Sequence, residues 1–134
     1  MASDLPIEAD AFASSLEAIF GDVRRACTGA LDEGVAEGAK VSAKEWRKGI
    51  RANFATNSRV RPYSKSIRTK VRRGGDSPVA VVYSTKPGLP HLLEKGHATI
   101  GGGRVPGREH VAPAAEEGFR AAFAKVESEV DLRL

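Results

Sequence analysis

An apolar stripe over residues 12–35 constrains this chain more than any other feature. Phe12, Leu16, Ile19, Phe20, Val23, Cys27, Leu31 and Val35 recur at steps of three and four residues, the spacing of one face of an α-helix. The spacing predicts a long helix over residues 8–38, with Glu8 and Asp10 suited to the positive end of its dipole. Gly21, Gly29, Gly34 and Gly38 interrupt it, and a mid-helix glycine costs about 1 kcal/mol relative to alanine. Two readings fit those glycines: bends in the helix, or close approach of another backbone. The helix is expected to fray or break near Gly38.

A shorter, basic helix is expected over 42–54. Ser42 and Glu45 have the spacing of a capping box, and Trp46, Ile50 and Phe54 share one face. "YSKSIRTKVRR", residues 63–73, alternates as a strand does. Tyr63, Ile67 and Val71 fall on one side, and Ser64, Ser66, Arg68, Lys70 and Arg72 on the other. "GGDSP" is turn chemistry and "VAVVYS", 79–84, is rich in β-formers, so an antiparallel hairpin spans 63–84. A small helix is expected over 89–95, started by Pro90, ended by Gly96 and docked on the sheet by Leu92 and Leu93. A mobile Gly/Pro loop continues to 110. The last helix, 112–131, carries Ala115, Phe119, Ala122, Phe123, Val126 and Val130 as its apolar stripe. Residues 1–134 are read as one domain of class α+β, two larger helices packed on a small antiparallel sheet.

Charge is segregated along the chain. Residues 1–40 carry 3 basic and 8 acidic side chains, whereas 41–75 carry 11 basic and one acidic, Glu45. Such segregation concerns partners rather than fold. Arg59, Arg61, Lys65, Arg68, Lys70, Arg72 and Arg73 crowd into 15 residues. A face of that kind meets either an acidic protein surface or a phosphate backbone. Tyr63 is the only aromatic there, so contact with nucleic acid would be to the backbone and blind to sequence.

The chain offers little for catalysis. His91, His97 and His110 lack the spacing of a helical metal pair, and the only local carboxylates are Glu94 and Glu109. "GGGR" lacks the strand-to-helix context of a phosphate loop. Cys27, the only cysteine, excludes an internal disulfide and reads as a small buried hydrophobe on the first helix. No serine sits in a nucleophile elbow. The expectation is a non-enzyme with no catalytic residues, metal or cofactor. No stretch approaches the ~20 apolar residues of a membrane span, the N-terminus lacks the order of a signal peptide, and synthesis in a reducing cytoplasm is expected.

From Tyr63 to Ala115 the chain resembles a known family. "YSKSIRTKV", "VVYSTKPGLPHLLEKGHA" and "GGRVPGREHVAPAAEE" are similar to the tail-completion or minor tail proteins of long-tailed double-stranded-DNA bacteriophages, encoded among the head–tail joining genes. "HLLEKGHATIGGGRVPGREHVAPA" is the most specific piece. The chain departs from the pattern at Glu109, where proline would precede the histidine, and the substitution loosens the turn into the last helix.

The resemblance implies a structural virion protein of the neck or tail, made in the bacterial host cytoplasm and assembled as a homo-oligomeric ring with other neck or tail proteins. An acidic first helix and a basic middle segment are independently the two halves of a head-to-tail interface. Glu94, His97, Arg104 and Arg108 are the expected subunit-interface residues. The basic residues from Arg59 to Arg73 are expected to face a neighbouring subunit or packaged DNA. The alternative function is a small, sequence-nonspecific DNA-binding module using residues 41–75.

Overall fold

The computed structural model describes residues 5–54, 60–74 and 77–134. Its class is α+β, as expected from the order of periodicities. One helix, α1 (Leu5–Asn53), dominates. At 1.5 Å per residue it is about 73 Å long. A short helix α2 (Val60–Lys65) leads into strand β1 (Ile67–Arg72), which pairs antiparallel with β2 (Val79–Ser84). Helix α3 (Leu89–Lys95) is followed by a second, three-residue ladder of β3 (Gly96–Ala98) with β4 (Arg104–Pro106). Helix α4 (Val111–Arg133) closes the order.

The first two expected helices are therefore one. Ser42 and Glu45 lie inside α1 rather than in a capping box, and no break occurs at Gly38. The reason is α4, which runs antiparallel along this part of α1. A Cβ at Gly38 would stand 2.9 Å from the Gly118 carbonyl oxygen and 2.9 Å from Ala122 Cβ. A Cβ at Gly118 would reach within 2.7 Å of Ser42 Cβ and 2.9 Å of the Gly38 carbonyl oxygen. The two backbones touch through glycine. Contact with α4 offsets the helix propensity that glycine lacks. Of the two readings of these glycines, close approach is the one realised at Gly34 and Gly38, with Gly118 as their counterpart on α4.

That seam also corrects the expected core. The buried row of α1 is Ala26, Ala30, Gly34, Gly38, Ala39 and Ala43, continued by Trp46 and Ile50. Cys27 is exposed rather than buried; it lies about 100° around the helix from Ala26. On α4 the buried residues are Ala114 and Gly118, while Phe119 and Phe123 are 65% and 74% exposed. Both helices turn small residues toward each other and leave large apolar ones outside.

The largest fully buried side chains, Tyr63, Ile50 and Ile67, lie at the other end of α1. Trp46, Ile50, Tyr63, Ile67, Ala43 and Ala114 form one buried cluster, bordered by Phe54, Val82, Leu89, Leu93 and Val111. Tyr63 belongs to this core, but on α2 rather than on the expected strand. Leu93 docks α3 as expected, whereas Leu92 is exposed. The expected Gly/Pro loop is partly ordered by the β3–β4 ladder. Gly96, at φ 81°, makes the turn from α3 into it, a conformation in which only glycine is unstrained. The hairpin tip rests on α1 through Arg73 Nη1 to Glu33 Oε1 at 2.7 Å and the Gly74 amide to Asp32 Oδ1 at 2.9 Å.

Candidate functional site

The stretch from His91 to Ala114 is a structural knot built around one carboxylate. Glu94 ends α3 and accepts three backbone N–H bonds from the start of α4. Its Oε1 takes those of His110 at 2.7 Å and Val111 at 2.9 Å, and its Oε2 that of Ala112 at 2.9 Å. These donors have no partner within their own helix. Glu94 thus caps α4 from outside it, sixteen residues away in sequence. Burial pushes its carboxyl up, but the three N–H donors and the nearby His110 ring outweigh burial and hold it below the ordinary value.

His110 joins this cap to the core. Its Nδ1 lies 2.8 Å from the Arg108 carbonyl oxygen and 3.0 Å from Glu94 Oε1. Both neighbours are acceptors, so Nδ1 carries the proton. Nε2 then accepts from the Tyr63 hydroxyl at 2.7 Å, and that hydroxyl accepts from Trp46 Nε1 at 3.1 Å. Every donor in the chain Trp46–Tyr63–His110–Glu94 meets an acceptor. Burial, above all, pushes the Tyr63 hydroxyl up to about 12. The Tyr63 and Phe54 rings each meet the His110 ring edge-on, at centroid distances of 5.7 and 5.1 Å. Tyr63 and His110 are 1% and 2% exposed, so these groups hold α1, α2, α3 and α4 together rather than face a ligand.

The expected interface residues from this stretch mostly have partners inside the chain. Arg108 donates from Nη1 to the Asn53 carbonyl oxygen, the last of α1, at 2.7 Å. Arg104 donates from Nη2 to the Lys95 carbonyl oxygen at 3.0 Å and is exposed. His97 is half-buried in the small ladder opposite Val105, and its Nδ1 is shielded without a hydrogen-bond partner. Among the described residues no three His, Cys, Asp or Glu side chains group as metal ligands would.

The basic face divides. Arg59 lies outside the described residues, as does the side chain of Arg61. Lys65 is exposed on α2, and Arg73 is engaged by Glu33. Arg68, Lys70 and Arg72 project together from β1, exposed, on the face away from α1. Arg68 also turns one guanidinium nitrogen back to the carbonyl oxygens of Lys65 and Ile67. The ladder register places Tyr83 beside Arg68, Val81 beside Lys70 and Val79 beside Arg72. Val79, Val81 and Tyr83 are 41%, 48% and 39% exposed. The outer face of the hairpin is therefore an apolar row flanked by a cationic row. Sequence reading found the cations but not the apolar row, because it left open which face of β2 turns outward.

The N-terminal half of α1 is a second unpaired surface. Arg133, in the last turn of α4, sits against Gly29. Residues 5–25, ahead of the first buried position Ala26, therefore extend α1 by about 32 Å with no helix packed along them. Phe12, Ile19, Phe20 and Val23 are exposed along this segment, and Leu16 is half-buried. No helix of the described residues is long and apolar enough to cross a membrane. No family model matches the chain, and neither a curated protein nor a solved structure shows significant similarity to it.

Proposed function

We propose that this protein is a structural virion component of a phage neck or tail, and that its subunits form a ring that completes the tail or joins it to the head. The observation that carries the reading is the unpaired half of α1. A helix of this length with four large apolar side chains exposed on one stripe calls for a partner. The first 23 residues carry carboxylates and no basic side chain, whereas β1 carries Arg68, Lys70 and Arg72 and no carboxylate, which suits a head-to-tail contact between copies. The resemblance of residues 63–115 to tail-completion proteins supports the same reading. In it, the Glu94–His110 knot gives each subunit a rigid end.

Negative-stain microscopy and solution mass measurement of the purified protein test this. Closed rings that bind isolated tail tubes or head connectors are the expected result. A protein that stays monomeric in the presence of either structure overturns the reading.

The exposed row of Arg68, Lys70 and Arg72 favours a second reading, a sequence-nonspecific DNA-binding module. A salt-dependent mobility shift of duplex DNA by the monomer would support it. The adjoining Val79, Val81 and Tyr83 weigh against it, since phosphate contact makes no use of an apolar row.

A further inference from the structure

We propose that the N-terminal half of α1 of one copy lies across the outer face of the β1–β2 hairpin of the next. This deepens the ring reading, and rests on it only in requiring self-association.

The two surfaces match in chemistry. On the helix, the stripe from Phe12 to Val23 is flanked by Glu17 on one side and Asp22 on the other, each about 60° around from the stripe's edge. Asp22 pairs with Arg25 of its own helix, so the side with Glu17 and Asp10 is the one offered to cations. Residues 1–23 contain five carboxylates and no basic side chain. On the hairpin, Val79, Val81 and Tyr83 run beside Arg72, Lys70 and Arg68. Apolar rows would meet while carboxylates meet cations, which sets orientation and register.

They also match in length. Phe12 to Val23 spans about 17 Å of helix, and Val79 to Tyr83 about 13 Å of strand. A single chain cannot make this contact itself. The hairpin tip is fixed at Asp32 and Glu33, and α1 continues without a break away from it to Leu5. The contact joins two different surfaces, so it is heterologous and propagates until it closes. Pairing of two α1 stripes would bring like charges together, which disfavours that arrangement. The exposed Phe119 and Phe123 on α4 lack a comparable row of cations.

Two charge-reversed full-length variants test the contact: Asp10→Lys with Glu17→Lys on the helix, and Lys70→Glu with Arg72→Glu on the hairpin. All four positions are exposed, and circular dichroism checks that each variant folds. Sedimentation of the wild type should show concentration-dependent self-association that weakens with salt. Each variant alone should associate roughly tenfold or more weakly, and the two mixed should recover association with each other. Ile19→Cys and Val81→Cys, each in a Cys27→Ser background, should form a disulfide when the two proteins are mixed.

A wild type monomeric at high concentration and low salt overturns the contact. So does a hairpin variant that associates like the wild type, which would point to pairing between α1 stripes. Rings that survive both reversals would overturn this contact while leaving the ring reading intact. Self-association through this contact without binding to tail tubes or connectors would do the reverse.

Discussion

Glu94 holds the start of α4 from another helix: its Oε1 accepts the backbone N–H of His110 at 2.7 Å and lies 3.0 Å from Nδ1 of the same residue. One carboxylate thus sets both the backbone and the ring of His110. The ring in turn fixes the Tyr63 hydroxyl, so the cap and the core depend on each other.

Replacing Glu94 by alanine should cost about 1–3 kcal/mol, because three N–H groups lose their acceptor together. Glu94→Gln should recover part of this, as its amide oxygen can serve one or two of those donors. Urea denaturation of both variants at neutral pH measures the difference.

Acid should weaken the same cap. Glu94 has a depressed pKa in the folded protein, so its contribution is fully present above the unfolded carboxylate value, about 4.3. The contribution is lost as pH falls from there through the folded pKa. The loss of stability below about pH 4.3 should therefore be shallower in Glu94→Gln than in the wild type. Parallel denaturant titrations across this range test it, and identical acid slopes would show that other carboxylates dominate.

Tyr63→Phe removes one oxygen and leaves both Trp46 Nε1 and His110 Nε2 without their partner. Stranding buried polar atoms costs about 1–3 kcal/mol. In the wild type, ultraviolet titration should show the Tyr63 phenol ionising only near pH 12, since burial pushes its hydroxyl up to about 12.

The glycines of α1 should divide sharply. Gly118→Val on α4, or Gly38→Val on α1, forces the two backbones apart and should destabilise by about 1–3 kcal/mol or more. Gly21→Ala meets only the flexible Arg25 side chain, at 3.4 Å. It should stabilise the helix by up to about 1 kcal/mol. Thermal melts of the variants separate the two classes.

Arg108→Ala should lower stability by roughly 0.3–1 kcal/mol through loss of a cation from the C-terminal end of α1. Arg104→Ala should leave folding unchanged and impair assembly, since Arg104 donates only to the exposed Lys95 carbonyl among the described residues. Melting temperature and sedimentation together distinguish the two roles.

Much of the local structure was legible in the sequence. The β2 strand, the 89–95 helix between Pro90 and Gly96, and the final helix follow from short-range chemistry of propensity, turn residues and caps. Local chemistry was silent on contacts made across long separations. Nothing in the spacing of Trp46, Tyr63, Glu94 and His110 announces a hydrogen-bonded chain, because those residues lie on four different helices or their caps. The stretch around them looked like an interface because its side chains are charged and polar, yet most of that polarity is consumed in capping helices.

The amino-acid sequence by itself determined the α+β class, the hairpin and the separation of acidic from basic segments, since each depends on residues close together in the chain. Tertiary structure decided which apolar residues are core. Phe12, Phe20, Phe119 and Phe123 are more hydrophobic than the Ala26, Ala30, Gly34 and Gly38 row, yet that small-residue row is buried and they are not. Two helices in backbone contact gain by matching shape along their whole shared length, and only small residues allow that approach. Phe119 and Phe123 are thereby left on the outside, while Phe12 and Phe20 are exposed because they lie on the part of α1 that runs beyond the end of α4.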